Sequence, residues 1–294
     1  MNQNIEVLDC TIREGKYKKN YIFNKKDIGE IVLGLSTSGI NYIEIGEGNG
    51  LGSYNNKKSL TNDMETIQIA KENAFGISKI GVFCIPELAS FQDIALAHQN
   101  GIDFLRIGIN VNEYQKALPY IDYAKQKGIT VYLSLMKSYA INNDKLLKIA
   151  QTLDNVGLDY LYVVDSAGSM LPQDVALTIK ILKDNLNTKI GFHGHNNLML
   201  ANANNIEAVL NGVDIIDTTL IGVGRGGGNS STEMMLYILE RMNIQLNFDK
   251  EKRESNSNKL HIYIVVKRFL RSVDINRVVD DKLYEELQEA LALA

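Results

Sequence analysis

The stretch YLYVVDSAGSMLPQDVALTIKILKDNLNTKIGFH (160–193) reads as strand, helix, strand. YLYVVD (160–165) and IGFH (190–193) are short runs of β-branched and aromatic residues, and PQDVALTIKILKDN (172–185) carries apolar residues at helical spacing behind a leading proline. No hairpin signal joins the two strands, so they pair in parallel through a right-handed crossover. The same unit recurs along the chain. Strand candidates stand at 5–9, 42–45, 80–84, 104–109, 129–134, 160–165, 190–193 and 214–220, with helical segments such as 27–39, 87–101, 144–157 and 198–212 between them. Gly39, Gly76, Gly101, Gly128, Gly157 and Gly212 each precede the next strand, where a left-handed helix cap would sit. Eight such units in about 240 residues predict an α/β fold, a (β/α)8 TIM barrel, rather than an open doubly wound sheet. The domains expected are a catalytic barrel over 1–243 and a linker plus short helical C-terminal extension over 244–294, with candidate helices at 260–273 and 281–294.

Composition narrows the function. Among 294 residues, 31 Lys+Arg face 35 Asp+Glu, a net charge of −4 that offers no basic surface for nucleic acid. No apolar run is long enough to span a membrane. Two cysteines cannot form a disulfide framework, and the polar start MNQNIEV lacks the regions of a signal peptide, so a reducing cytoplasm is expected.

Reactive groups of a parallel barrel gather at the carboxyl ends of its strands. After the first strand comes DCTIREG (9–15), and at the end of the seventh comes HGHNN (193–197). His193 and His195, two residues apart on a strand, project to one side and can present two imidazoles to one ion. Glu14 and the Asn229 loop come from strands flanking that pair. Two imidazoles, a carboxylate and an amide oxygen suit Mn²⁺ or Mg²⁺, with Zn²⁺ or Co²⁺ as alternatives. GVGRGGGN (222–229) matches GxGxxG but follows the last strand, so it reads as a close-approach loop around Gly226 rather than a dinucleotide site.

Taken together, LDCTIREG (8–15), IEIGEGNGLGS (43–53), VVDSAGSMLPQDV (163–175), FHGHNNLMLANANNIEAV (192–209) and GVGRGGGNSSTEMML (222–236) resemble the pyruvate-type metal-dependent aldolases. These belong to a superfamily with hydroxymethylglutaryl-CoA lyase, homocitrate synthase and isopropylmalate synthase. HGHNNL followed by ANANNIEAV is most similar to 4-hydroxy-2-oxovalerate aldolase. The resemblance implies Glu14, His193 and His195 as metal ligands with Asn229 as a further one, and Arg13 as the group that stabilises an enolate. It departs at Tyr17, where those aldolases carry a histidine base; a tyrosine, with an ordinary pKa near 10, makes a poor base at neutral pH.

The expected activity is a divalent-metal-dependent carbon–carbon lyase, converting a 4-hydroxy-2-oxo acid to pyruvate and an aldehyde or running the reverse addition. Alternatives are a Claisen-type acyltransferase joining an acyl-CoA to a 2-oxo acid, and a non-catalytic barrel scaffold. Catalysis is expected from Arg13 and Tyr17, and substrate binding from Glu44, Arg106, Ser134, Asp165 and Gly226. Asp9 is expected behind them, holding Arg13 or a ligand histidine. The expected ligand is a small 2-oxo acid, and the tail helices are expected to form a homo-oligomer. The tail is shorter than the region with which oxovalerate aldolases dock a dehydrogenase, so that partner is not expected.

Overall fold

The computed structural model describes residues 4–17, 23–53 and 60–246. Its strands are β1 (Asn4–Asp9), β2 (Tyr42–Ile45), β3 (Lys79–Cys84), β4 (Phe104–Asn110), β5 (Thr130–Met136), β6 (Tyr160–Asp165), β7 (Lys189–Gly194) and β8 (Ile215–Thr218). All neighbours are parallel, and β1 pairs with both β2 and β8. That double pairing closes the sheet into a (β/α)8 barrel and excludes the open alternative. The helices are α1 (Thr11–Gly15), α2 (Lys25–Thr37), α3 (Asp63–Ala74), α4 (Phe91–Gln99), α5 (Leu118–Gln126), α6 (Asn143–Asp154), α7 (Pro172–Asn185), α8 (Ala201–Leu210) and α9 (Thr232–Arg241). A two-residue strand, β9 (Gln245–Leu246), runs parallel to the start of β1. The tail helices, and any oligomer through them, lie outside the described residues.

Element ends follow local chemistry. The helix expected from 87 begins only at Phe91, because the Ser90 side chain accepts from the Asp93 N–H while Asp93 reaches back to Ser90 N–H at 2.8 Å. The one expected from 198 begins at Ala201, whose N–H donates to Asn196 Oδ1 at 3.0 Å. Strand β8 takes only four residues, Ile215–Thr218, of the seven-residue run 214–220, and a 3₁₀ turn takes up Leu220–Gly222. All six glycines expected at helix ends have positive φ.

Apolar side chains fill two shells. Helices pack on the outside of the sheet around residues such as Ile31, Ile67, Ile121, Ile179 and Val209. Inside the barrel, Tyr42, Phe104, Tyr132, Tyr160 and Tyr162 form a ring-rich plug with Leu8, Cys10, Val164 and Ile215. Tyr132 stacks on Phe104 at 4.7 Å and meets Tyr160 edge-on at 4.6 Å. The hydroxyls of Tyr42 and Tyr160 both donate to Glu6, so their polar tips are satisfied at the amino-terminal end. With that end filled, the open end of the barrel is the one where the strands finish.

Candidate metal centre and active-site cavity

Arg13 and Glu14 stand on α1, a single buried helical turn directly after β1. Asp9 creates that turn. Its Oδ1 accepts from the Thr11 N–H at 2.8 Å, and its Oδ2 accepts from the Thr232 hydroxyl at 2.6 Å, tying α1 to the start of α9. This corrects the expectation that Asp9 holds Arg13 or a histidine: both oxygens are spent on threonines.

The residue that does hold a histidine is Asp217 on β8. Its Oδ2 lies 2.7 Å from His193 Nδ1, which leaves Nε2 free to bind an ion. His195 Nδ1 lies 3.4 Å from the Gly228 carbonyl, orienting its ring the same way. The ligand atoms of Glu14, His193 and His195 all lie within 4.8 Å of one another. Protonation states suit a cation. Burial pushes the His193 and His195 imidazoles below their ordinary range, so both are neutral. Burial alone would raise Glu14, yet the charge of Arg13 outweighs it, and the carboxyl lies down at about 2.

Asn229 joins this cluster through the glycine-rich loop. It forms an antiparallel bridge with His195, and its Nδ2 donates to the Val223 carbonyl at 2.9 Å. Among the described residues its buried Oδ1 has no hydrogen-bond partner, as suits a metal-ligand oxygen. Gly224 makes the approach feasible: at φ 159° its backbone is near extended, and a Cβ there would come 2.0 Å from Asn229 Nδ2 and 3.1 Å from Glu14 Oε2. A second trio, Cys10, His193 and Asp217, is equally close together. It is the poorer candidate, since Asp217 Oδ2 is shared by His193 and Arg106 and neither Cys10 nor Asp217 lines the open cavity.

That cavity, about 590 Å³, is lined among others by Arg13, Glu14, Tyr17, Arg106, Ser134, His193, His195 and Gly226. Arg13 Nη1 lies 2.7 Å from Glu14 Oε1, and its Nε donates to Glu44. Arg106 Nε donates to the Ser134 hydroxyl at 2.7 Å, and its Nη1 lies 2.5 Å from Asp217 Oδ2 and 3.5 Å from Glu44 Oε2. Glu44 therefore sits between two guanidiniums and does not line the cavity, unlike the substrate contact expected of it. Asp165 is displaced from that expected role too: its two oxygens accept from the N–H groups of Ser169 at 3.1 Å and Met170 at 2.9 Å, building the loop after β6. Tyr17 lines the mouth, and its hydroxyl donates to the Gly48 carbonyl at 2.6 Å. Burial raises its pKa further, which makes the phenol a donor and not a base.

Asp217 was absent from the sequence-based set, although it lies in a quoted strand run, because nothing local shows that a β8 carboxylate reaches a β7 imidazole. The asparagines after the histidine pair also have structural duties. Asn196 N–H donates to the Gly228 carbonyl at 2.9 Å, and Asn197 Oδ1 accepts from Gly227 N–H at 2.7 Å, fastening the glycine-rich loop.

The HMGL-like family model matches residues 4–259. The chain belongs to the HMGL-like family. It is 35% identical to oxaloacetate decarboxylase of Mycobacterium tuberculosis over 80% of this chain and 70% of that one. It is 34% identical to 4-hydroxy-2-oxovalerate aldolase of Geobacillus genomosp. 3, over 84% of this chain and 74% of that one. Among solved structures, the N-terminal domain of a candidate aldolase from Bacteroides vulgatus superposes with a TM-score of 0.74 at 26% identity, covering 93% of this chain and 88% of that one.

Proposed function

We propose that this HMGL-like protein is a divalent-metal-dependent aldolase, cleaving a 4-hydroxy-2-oxo acid to pyruvate and an aldehyde, or forming that bond, through a pyruvate-type enolate. Its relatives make it a carbon–carbon lyase. The observation that carries the reading is the buried cluster of Glu14, His193 and His195 opening into the cavity beside Arg13. These three side chains would hold the cation, with the orphaned Asn229 Oδ1 as a fourth donor. Mn²⁺ or Mg²⁺, or alternatively Zn²⁺ or Co²⁺, supplies Lewis acidity toward the keto oxygen of a 2-oxo acid.

The chain's own residues account for the rest. Arg13 lines the cavity, and its Nη2 makes no hydrogen bond to a described residue, so it is available to stabilise negative charge developing on the keto oxygen. Arg106 and Ser134 line the same cavity and would bind the carboxylate, the guanidinium being held still by Asp217 and Glu44. Tyr17, a protonated phenol whose O–H donates to the Gly48 carbonyl, would offer its hydroxyl oxygen as an acceptor to a substrate hydroxyl at the mouth, and Gly226 would let that substrate approach the loop. Decarboxylation of oxaloacetate, the activity in the name of one relative, ends on the same enolate and is the second reading.

The test is incubation with pyruvate and Mn²⁺ in D₂O. Deuterium entering the methyl group without acyl-CoA supports the aldolase; thiol release from acetyl-CoA with a 2-oxo acid would move the assignment to the Claisen acyltransferase. Absence of a tight Mn²⁺ site that His195→Ala abolishes would sink the enzyme reading and leave a scaffold. We further propose a cytoplasmic homo-oligomer assembled through the tail; light scattering showing a monomeric full chain would overturn that assembly. Both cysteines are free and buried, as suits a reducing compartment.

A further inference from the structure

The cavity holds more positive charge than its inner ions use. Arg13 is paired with Glu14 and Glu44, and Arg106 with Glu44 and Asp217. Lys137, after β5, and Arg225, in the loop after β8, line the same cavity, and among the described residues neither side chain makes an ion pair or a hydrogen bond. Glu113 feels Lys137 only after the Lys116 and Asn110 hydrogen bonds that hold its carboxyl low, and it is already paired with Lys116 at 2.8 Å. Lys137 is also held in a left-handed conformation, φ 59°, unfavourable for a residue with a Cβ. Its N–H donates to the Ser166 hydroxyl at 3.0 Å, which fixes the turn that brings this lysine to the cavity wall. Arg225 is anchored beside the metal-ligand cluster, its N–H lying 3.4 Å from Glu14 Oε2, and its charge is felt by both Tyr17 and His195.

Room is available for a second fragment. A pyruvate-sized ligand has about six heavy atoms and occupies on the order of 200 Å³ at liquid-water packing, well under the cavity's 590 Å³. Resting on the aldolase reading, we propose that the aldehyde fragment carries an anionic group, a carboxylate or a phosphate, recognised by Lys137 and Arg225. In cleavage the C3–C4 bond breaks and its electron pair goes to the 2-oxo acid fragment as the enolate. The 4-hydroxyl loses its proton to become the aldehyde, and one proton returned at C3 gives pyruvate, so the step balances without a co-reactant. Both side chains are exposed along the cavity lining, where an anionic fragment forms charge-assisted hydrogen bonds with them that a neutral aldehyde cannot.

The experiment is aldol addition of pyruvate, with Mn²⁺, to two matched pairs: succinic semialdehyde against butanal, and glycolaldehyde phosphate against glycolaldehyde. The charged member of one pair is expected to show at least a tenfold higher kcat/KM, and the pair that shows it distinguishes carboxylate from phosphate. Lys137→Gln or Arg225→Gln should narrow that preference at least fivefold through KM, and Lys137→Arg should restore the share lost in Lys137→Gln, with thermal melts verifying the fold. Calorimetric titration of the metal-free protein with succinate and with inorganic phosphate gives a readout independent of turnover, expected to weaken at least fivefold in the same variants. Equal rates within both pairs, or a preference that neither glutamine variant alters, overturn this inference while deuterium exchange into pyruvate persists. Loss of that exchange in the unaltered protein marks the separate failure of the aldolase reading.

Discussion

A single carboxylate, Asp217, decides how two elements of the site behave, because its Oδ2 meets both His193 Nδ1 and Arg106 Nη1. Asp217→Asn should weaken Mn²⁺ binding by about 10- to 100-fold, the usual cost of losing a partner that orients a ligand imidazole; a calorimetric titration checks it. Asp9→Asn should leave that affinity within about twofold of the parent, since among the described residues the Asp9 carboxylate accepts from Thr11 and Thr232 and from neither histidine. An Asp9 variant that lost metal as severely as the Asp217 variant would return Asp9 to the role expected from sequence. Tyr17→Phe removes a hydroxyl whose O–H donates to the Gly48 carbonyl, and it should lower kcat by about tenfold or less while leaving a pH–rate profile without a new basic limb. A loss of several orders of magnitude in steady-state assays would make Tyr17 the proton-transfer group after all.

At the scale of the element, the barrel strands alternate large rings with glycines that make room for them. A Cβ at Gly191 on β7 would come 2.6 Å from the Tyr162 ring of β6. Gly191→Ala should therefore cost about 1–3 kcal/mol by overpacking, read as a lowered urea midpoint with an unchanged slope. The strands and most helices were legible in sequence because their apolar periods are strong. Their ends were less so: a side-chain cap such as Ser90 or a loop fastening such as Asn196 moves a boundary by several residues without changing the period. The short helix α1 was not legible, since five residues carry no period, yet it holds both Arg13 and Glu14.

Over the whole molecule, buried ionisable groups oppose one another. Burial raises both Asp9 and Asp63 to about 6, so between about pH 4 and 6 the folded state binds more protons than the unfolded one, and these two carboxyls make stability fall as pH rises. The buried neutral His193 and His195 act in the other direction, since the unfolded chain gains their protons as pH falls below about 6.5. The parent's net slope in this window should therefore be shallow. Asp9→Asn isolates one component: relative to the parent, the variant should gain up to about 3 kcal/mol as pH rises from 4 to 7, two pKa units at about 1.4 kcal/mol each. Denaturant unfolding at the two pH values measures the difference, and a pH-independent difference would show that Asp9 titrates at its ordinary value.

Sequence by itself determined the barrel, the strand ends that carry polar residues, and the order of Arg13, Glu14, His193, His195 and Asn229 along the chain, because periodicity and spacing are local properties. Tertiary structure decided which of those strand-end groups face the cavity. Glu44, Asp165 and Asp9 have the same local credentials as Arg106 and Ser134, yet their oxygens are taken by groups up to 223 residues away. Only closure of β8 onto β1 brings Asp217, Thr232 and the glycine-rich loop against the first strand. Among the described residues, charge pairing rather than residue type separates Arg13 and Arg106, already satisfied, from Lys137 and Arg225, the cavity cations left without a partner.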